Sequence, residues 1–143
     1  MKKVISFFSL ILMVFSLVGC NQIGETNDVK VTIGKSVNFS KKEIEDSIEC
    51  VKVNFKSFKG CNLTDLWYDE DKSNHLVDVY LKYGRGSENG ATAENTIVLM
   101  SNFNVDSSGG DGSLDPNSTY SDFQWVLIRD SKTAKWKVDD CGY

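Results

Sequence analysis

Hydrophobic and polar positions along the chain fall into blocks of different period. Val29, Val31 and Ile33 alternate with Lys30 and Thr32, the period of a short strand. Ile44, Ile48, Val51 and Phe55 then recur at three- and four-residue spacing, which lines one stripe of a helix. Ser40 and Glu43 stand three apart just ahead of that stripe, the spacing of a capping box, and Phe39 before the cap is placed to staple onto Ile44. Lys59-Gly60 closes the segment, Gly being the usual residue beyond a helix end. Lys42, Glu45, Asp46, Glu49, Lys52 and Lys56 fall on the far side. A single amphipathic helix cannot hide its stripe alone, so it needs a sheet to lie on.

Further along, Cys61–Tyr68 reads as a strand, Asp69–Lys72 as a solvated break, and Ser73–Tyr83 as a short second helix with Ser73 as cap and Gly84 as stop. Residues 84–95 contain three Gly and no large apolar residue, the composition of a loop. The rest is strand-like. Residues 96–106 put Ile97, Leu99, Phe103 and Val105 on one face. Residues 120–130 put Phe123, Trp125 and Leu127 on one face and Val126 and Ile128 on the other, as a central strand would. Residues 134–141 place Trp136 and Val138 in phase, after a tight connection at Asp130–Thr133. The predicted architecture is α+β: one main N-terminal amphipathic helix packed on a curved antiparallel β-meander, plus a short second helix.

The N-terminus predicts an address. Met1-Lys2-Lys3 is a short basic start, and Val4–Leu17 follows without a charge, in the order of a secretory signal. That run is too short for a comfortable membrane span, which takes about 20 residues. It ends Leu17-Val18-Gly19-Cys20, which resembles the bacterial lipobox. The resemblance implies removal of residues 1–19 and a diacylglyceryl group on Cys20, and two acyl chains anchor durably where one does not. Residues 20–28 then read as a polar tether and 29–143 as one domain, with no internal repeat or second linker. The 124 residues from Cys20 onward carry 14 basic and 20 acidic side chains, a net charge of −6. An acidic surface argues against nucleic acid and against electrostatic contact with anionic lipid.

The order helix, strand, small helix and long meander resembles the nuclear-transport-factor-like or cystatin-like cone fold. The run from Leu66-Trp67-Tyr68-Asp69-Glu70 through Asn102–Gly112 to Trp136-Lys137-Val138-Asp139-Asp140 is similar to uncharacterised small lipoproteins of Gram-positive bacteria. The resemblance covers most of residues 39–143. It implies a fold and an extracytoplasmic, lipid-anchored location at the cell membrane, and it supplies no catalytic residues.

Candidate chemistry is sparse. Cys50, Cys61 and Cys141 remain after Cys20, enough for one bridge with a thiol left over. Cys50 on the flank of the helix and Cys61 at the start of the returning strand form the candidate pair, and closing so short a loop stabilises by roughly 3 kcal/mol; three reduced thiols are the alternative. The cysteine spacings match no zinc pattern and His75 is the sole imidazole, so no metal and no cofactor is expected. His75 could serve a nucleophile pair or general base, but a lone His on a short helix is commonly a surface residue. The Asp106–Asp115 segment mixes acids, hydroxyls and Gly, yet it departs from the twelve-residue calcium loop and reads as a turn-rich connection. Trp67, Trp125 and Trp136 all fall on predicted strands, where Trp is usually core; in a cone they could line a pocket instead. The leading expectation is a non-catalytic binding or accessory module, taking a small apolar ligand or an envelope protein. The alternative is a small cone-fold enzyme using a buried carboxylate such as Asp106 or Asp140 with a Tyr.

Overall fold

The computed structural model describes residues 22–143. The expected signal segment 1–19 and the expected lipidation residue Cys20 lie outside them. Strand β1 (Lys30–Ile33) leads to helix α1 (Lys41–Phe55), strand β2 (Cys61–Tyr68) and helix α2 (Glu70–Tyr83). A one-turn helix α3 (Gly86–Asn89) and a 3-10 turn (Ala93–Asn95) precede β3 (Thr96–Val105). The one-turn helix α4 (Gly109–Gly112), β4 (Thr119–Ile128) and β5 (Lys137–Gly142) complete the chain. The strands form one five-stranded sheet in the order β1-β2-β3-β4-β5.

The fold is α+β, with a mixed sheet rather than a purely antiparallel one. Strands β2 to β5 form the expected antiparallel meander, but β1 pairs with β2 in parallel. The reason is the connection: α1 lies between β1 and β2 in sequence, and a crossover of that length returns the chain to the same end of the sheet. Register shifts at Leu63/Asp65, Ser101/Phe103 and Val126/Leu127 interrupt the ladders, and such irregularities bend strands and increase local twist.

Helix α1 forms as its sequence predicts. Ser40 accepts from the Glu43 N–H while the Glu43 carboxylate accepts from the Ser40 N–H, a complete capping box. Ile44, Ile48, Val51 and Phe55 are buried with Leu63, Leu66, Ile97, Leu99, Trp125 and Leu127. The helix stops at Phe55, four residues short of Lys59, and a turn carries the chain to Gly60 at φ +68°. A Cβ there would meet the side chains of Ser108 and Asp106, so Gly60 answers both to its backbone angle and to close approach of the 106–118 connection.

Helix α2 starts earlier than expected. Asp69 is its N-cap, accepting from the Lys72 N–H, so the acidic stretch read as a break is the first turn of the helix. Ser73, expected as the cap, is buried, and its hydroxyl accepts from the Val98 N–H at 3.0 Å. Strand β2 leaves the sheet before it can serve that N–H, its last pair with β3 being Trp67 with Met100. Helix α2 also packs on the face of the sheet opposite α1. Val77 and Tyr80 are buried with Val98, Met100 and Val126, the positions that alternate with Ile97, Leu99, Trp125 and Leu127. A helix on each face explains why β3 and β4 are apolar on both sides.

The folded unit also begins before Val29. Gly24 N–H donates to the Lys56 carbonyl, Glu25 N–H to the Cys61 carbonyl, and Leu63 N–H to the Glu25 carbonyl. Residues 24–25, inside the expected tether 20–28, thus add a short parallel bridge to the start of β2.

Candidate functional site

On the face covered by α1, β4 alternates Phe123, Trp125, Leu127 and then Arg129. The next position in an apolar register is thus a cation, and its side chain is only 3% exposed. Its guanidinium carbon stands 4.3 Å from the centre of the Trp136 ring and 5.8 Å from that of Phe39. Its Nη2 lies 2.9 Å from Glu43 Oε1 and donates to the Glu94 carbonyl at 3.3 Å. The contact with Glu43 is close but not aligned as a hydrogen bond: Glu43 Oε1 and Arg129 Nε are buried without a hydrogen-bond partner among the described residues.

Each member is held by a separate element. The capping box fixes Glu43; the Ser40 N–H and hydroxyl, with Arg129 beyond them, bring its carboxyl down to about 2. Trp136 donates from Nε1 to the Glu43 carbonyl at 3.0 Å and packs edge-to-face on Phe39, which also meets Tyr68. The N-terminus of α1, the end of β4 and the approach to β5 therefore converge on one ion pair.

Two open grooves flank this cluster. One, of about 790 Å³, runs between the chain before α1, α2 and the 93–95 turn, and Arg129 lines it together with Asn38, Asn74, Asn95 and Ser131. The other, of about 980 Å³, lies between α1 and the β4–β5 connection, with Cys50, Val53 and Trp136 inside and Lys42, Asp46, Glu49, Lys132 and Lys135 around it. The arrangement suits recognition: a fixed, neutralised cation, amides on one side and an apolar groove with charges of both signs on the other.

The three tryptophans are not gathered into one pocket. Trp125 is 1% exposed and packs among Phe55, Phe58 and Phe123, its Nε1 donating to Ser101 Oγ at 2.9 Å, so it is core. Trp67 lies on the opposite face, packed against the α2 cluster. Trp136 alone borders a groove described above, and it does so from the connection before β5 rather than from the strand.

Among the described residues Cys50, Cys61 and Cys141 are free thiols, the alternative to the candidate Cys50–Cys61 bridge. Cys50 Sγ lies 3.3 Å from the Trp136 carbonyl, on the β5 side of α1, while Cys61 opens β2 and contacts the Lys59 carbonyl at 3.6 Å. Cys141 is exposed. His75 is on the exposed side of α2. Asp106 is exposed and bonded to Ser108, which lowers its pKa, and Asp140 is exposed with its carboxylate accepting from the Cys141 N–H. A different acid meets a Tyr: the Tyr80 hydroxyl donates to Asp139 Oδ2 at 2.6 Å, Asn89 joins them, and burial followed by that carboxylate pushes the phenol up to about 12. Among the described residues no group of His, Cys, Asp and Glu could hold a metal ion.

Residues 26–142 match a protein family described as Domain of unknown function (DUF4829). The chain belongs to that family. No curated protein and no solved structure matches the chain. Local sequence marks Glu43 only as a capping-box residue and assigns no role to Arg129 or the Tyr80–Asp139 pair. The legible signal was Arg129 itself, a charge in phase with Phe123, Trp125 and Leu127.

Proposed function

We propose that this DUF4829 protein is a lipid-anchored extracytoplasmic lipoprotein whose domain is a binding module without catalysis. The address rests on the sequence: the basic start, the short apolar run and Leu17-Val18-Gly19-Cys20. No helix among the described residues is long and apolar enough to cross a membrane.

The observation that carries the binding reading is the Arg129–Glu43–Trp136 cluster between two grooves. Its carboxylate is held far below the range of a general acid and its cation is already paired, so the cluster orients a ligand better than it moves a proton. The adjoining groove, with Trp136 and Val53 inside and charges around it, suits a small amphipathic molecule or an apolar side chain of an envelope protein. The kinship with cone-type folds is also a proposal, supported by α1 lying across the meander, with α2 as the second helix of that plan on the other face. The enzyme reading has a narrower basis in the Tyr80–Asp139 pair, which ties α2 to β5.

Two measurements test the proposal. Detergent phase partition of cells expressing the wild type and Cys20→Ala should move the protein from the detergent to the aqueous phase or leave an unprocessed precursor; identical processing and partition would remove the anchor. Titration of the domain with envelope lipids and peptides should change Trp fluorescence in the wild type and not in Trp136→Phe. A response that survives Trp136→Phe would place the ligand elsewhere.

A further inference from the structure

The docking of Gly24 and Glu25 fixes how far the domain can stand from its anchor. We infer that the pole of the domain formed by residues 24–25, the 56–61 turn and the 106–118 connection lies against the lipid headgroups, so that Arg129 and the groove it shares with Asn38, Asn74 and Asn95 face away from the membrane. This rests on the lipid on Cys20.

The argument is covalent reach. Gly24 is buried and its N–H is bonded to the Lys56 carbonyl, with Glu25 bonded to both sides of the β2 start. A Cβ on Gly24 would collide with the Phe55 carbonyl, so the segment is seated close against the end of α1. Only Asn21, Gln22 and Ile23 separate Cys20 from this seat. Four Cα–Cα steps of extended chain span at most about 14 Å. A free tether over residues 20–28 would reach twice as far and leave the domain unoriented.

Sheet register then places the two poles. Cys61 pairs with Val105 and Asn104 with Thr119, so the starts of β2 and β4 and the end of β3 share the anchored pole. Thr96 pairs with Ile128 at the other end, and Arg129 follows directly. Ten-residue strands β3 and β4 put about 30 Å between the poles. The anchored pole carries Lys56 and Lys59 but also Glu25, Asp106, Asp111 and Asp115, and Lys59 pairs with Asp111 at 3.4 Å. Such a surface has no charge complementarity to anionic lipid, so its contact with the bilayer comes from the short tether and not from affinity.

The test uses the full-length lipidated protein in vesicles of phosphatidylglycerol and phosphatidylethanolamine that contain a headgroup quencher. A fluorophore is attached at Asp115→Cys or at Lys135→Cys, each in a Cys50→Ser, Cys141→Ser background. Quenching at position 115 should exceed that at 135 at least threefold, unchanged by 0.5 M salt. Twelve Gly/Ser residues inserted between Asn21 and Gln22 should bring the two positions toward equality. Equal quenching in the uninserted protein, or stronger quenching at 135, overturns the orientation while leaving the anchor intact. Failure of the protein to enter the vesicle fraction strikes the anchor reading itself, and the inference falls with it. Binding of the domain without its lipid to the same vesicles would replace tethering by surface affinity and also overturn the inference.

Discussion

The Arg129 guanidinium stacks 4.3 Å from the Trp136 ring centre while its Nη2 lies 2.9 Å from Glu43. Trp136 closes the triangle by bonding the Glu43 carbonyl. A buried pair loses most when one partner is removed, because the other charge is left uncompensated. Arg129→Ala should therefore cost about 3 kcal/mol in urea unfolding. The double variant Arg129→Met with Glu43→Gln should recover much of that loss, since Gln keeps the capping box and Met covers the indole. A double variant no more stable than Arg129→Ala would show that the charge itself holds these elements together.

This cluster also marks the boundary of what the sequence made legible. The α1 stripe, its capping box and the alternation of β4 were readable because one local period decides each of them. Ser73 reads as the cap and Asp69–Lys72 as a break from local sequence; the Val98 N–H, left to Ser73 by the end of β2, is a tertiary circumstance that takes Ser73 inward while Asp69 caps. The parallel pairing of β1 and the placement of α2 on the second face depend on connections and sheet order, which period does not encode. The apolar second face of β4 marks a central strand, as the sheet order bears out, but it does not say that α2 is what covers that face. The docking of Gly24 and Glu25 rests on three backbone hydrogen bonds that leave no mark in a polar, tether-like segment.

Acid should weaken the same triangle. The folded Glu43 carboxyl, at about 2, lies below its ordinary value of 4.5. The native state therefore binds this proton more weakly than the unfolded chain does, and stability is lost as pH falls from about 4.5 toward 2. The contribution present at neutral pH is on the order of 2 kcal/mol. Chemical unfolding of wild type and Glu43→Gln across pH 2 to 7 should show the two curves converging in that window. Parallel curves would mean that Glu43 does not carry the acid dependence.

Helices on opposite faces predict independence. Ile48 is 3% exposed under α1 and Val77 is 4% exposed under α2, with the sheet between them. Ile48→Ala should cost about 2–5 kcal/mol and Val77→Ala somewhat less. Because the sites share no partner, the double variant should lose the sum to within about 0.5 kcal/mol. A coupling above 1 kcal/mol would mean that the sheet transmits strain from one core to the other.

Thiol chemistry separates the free-cysteine arrangement from a bridged one. The Cys50 thiol reaches the carbonyl of Trp136, at the approach to edge strand β5, and Cys61 begins β2. Two strands lie between β2, where Cys61 sits, and β5, beside which Cys50 lies, so those strands are on the order of 14 Å apart across the sheet. A disulfide needs its Cα atoms within about 7 Å, so joining Cys50 to Cys61 would demand movement of α1 or β2. Burial raises the pKa of both thiols, and the charge of Asp106 adds to the effect at Cys61. Alkylation of the folded domain should therefore label exposed Cys141 first, Cys50 more slowly and Cys61 last, with Cys61 reacting at a rate set by opening of the fold. Peptide mapping of non-reduced protein should recover all three as alkylated thiols after unfolding. Recovery of a Cys50–Cys61 peptide from the native protein would show that α1 and β2 approach each other in a second arrangement of the core.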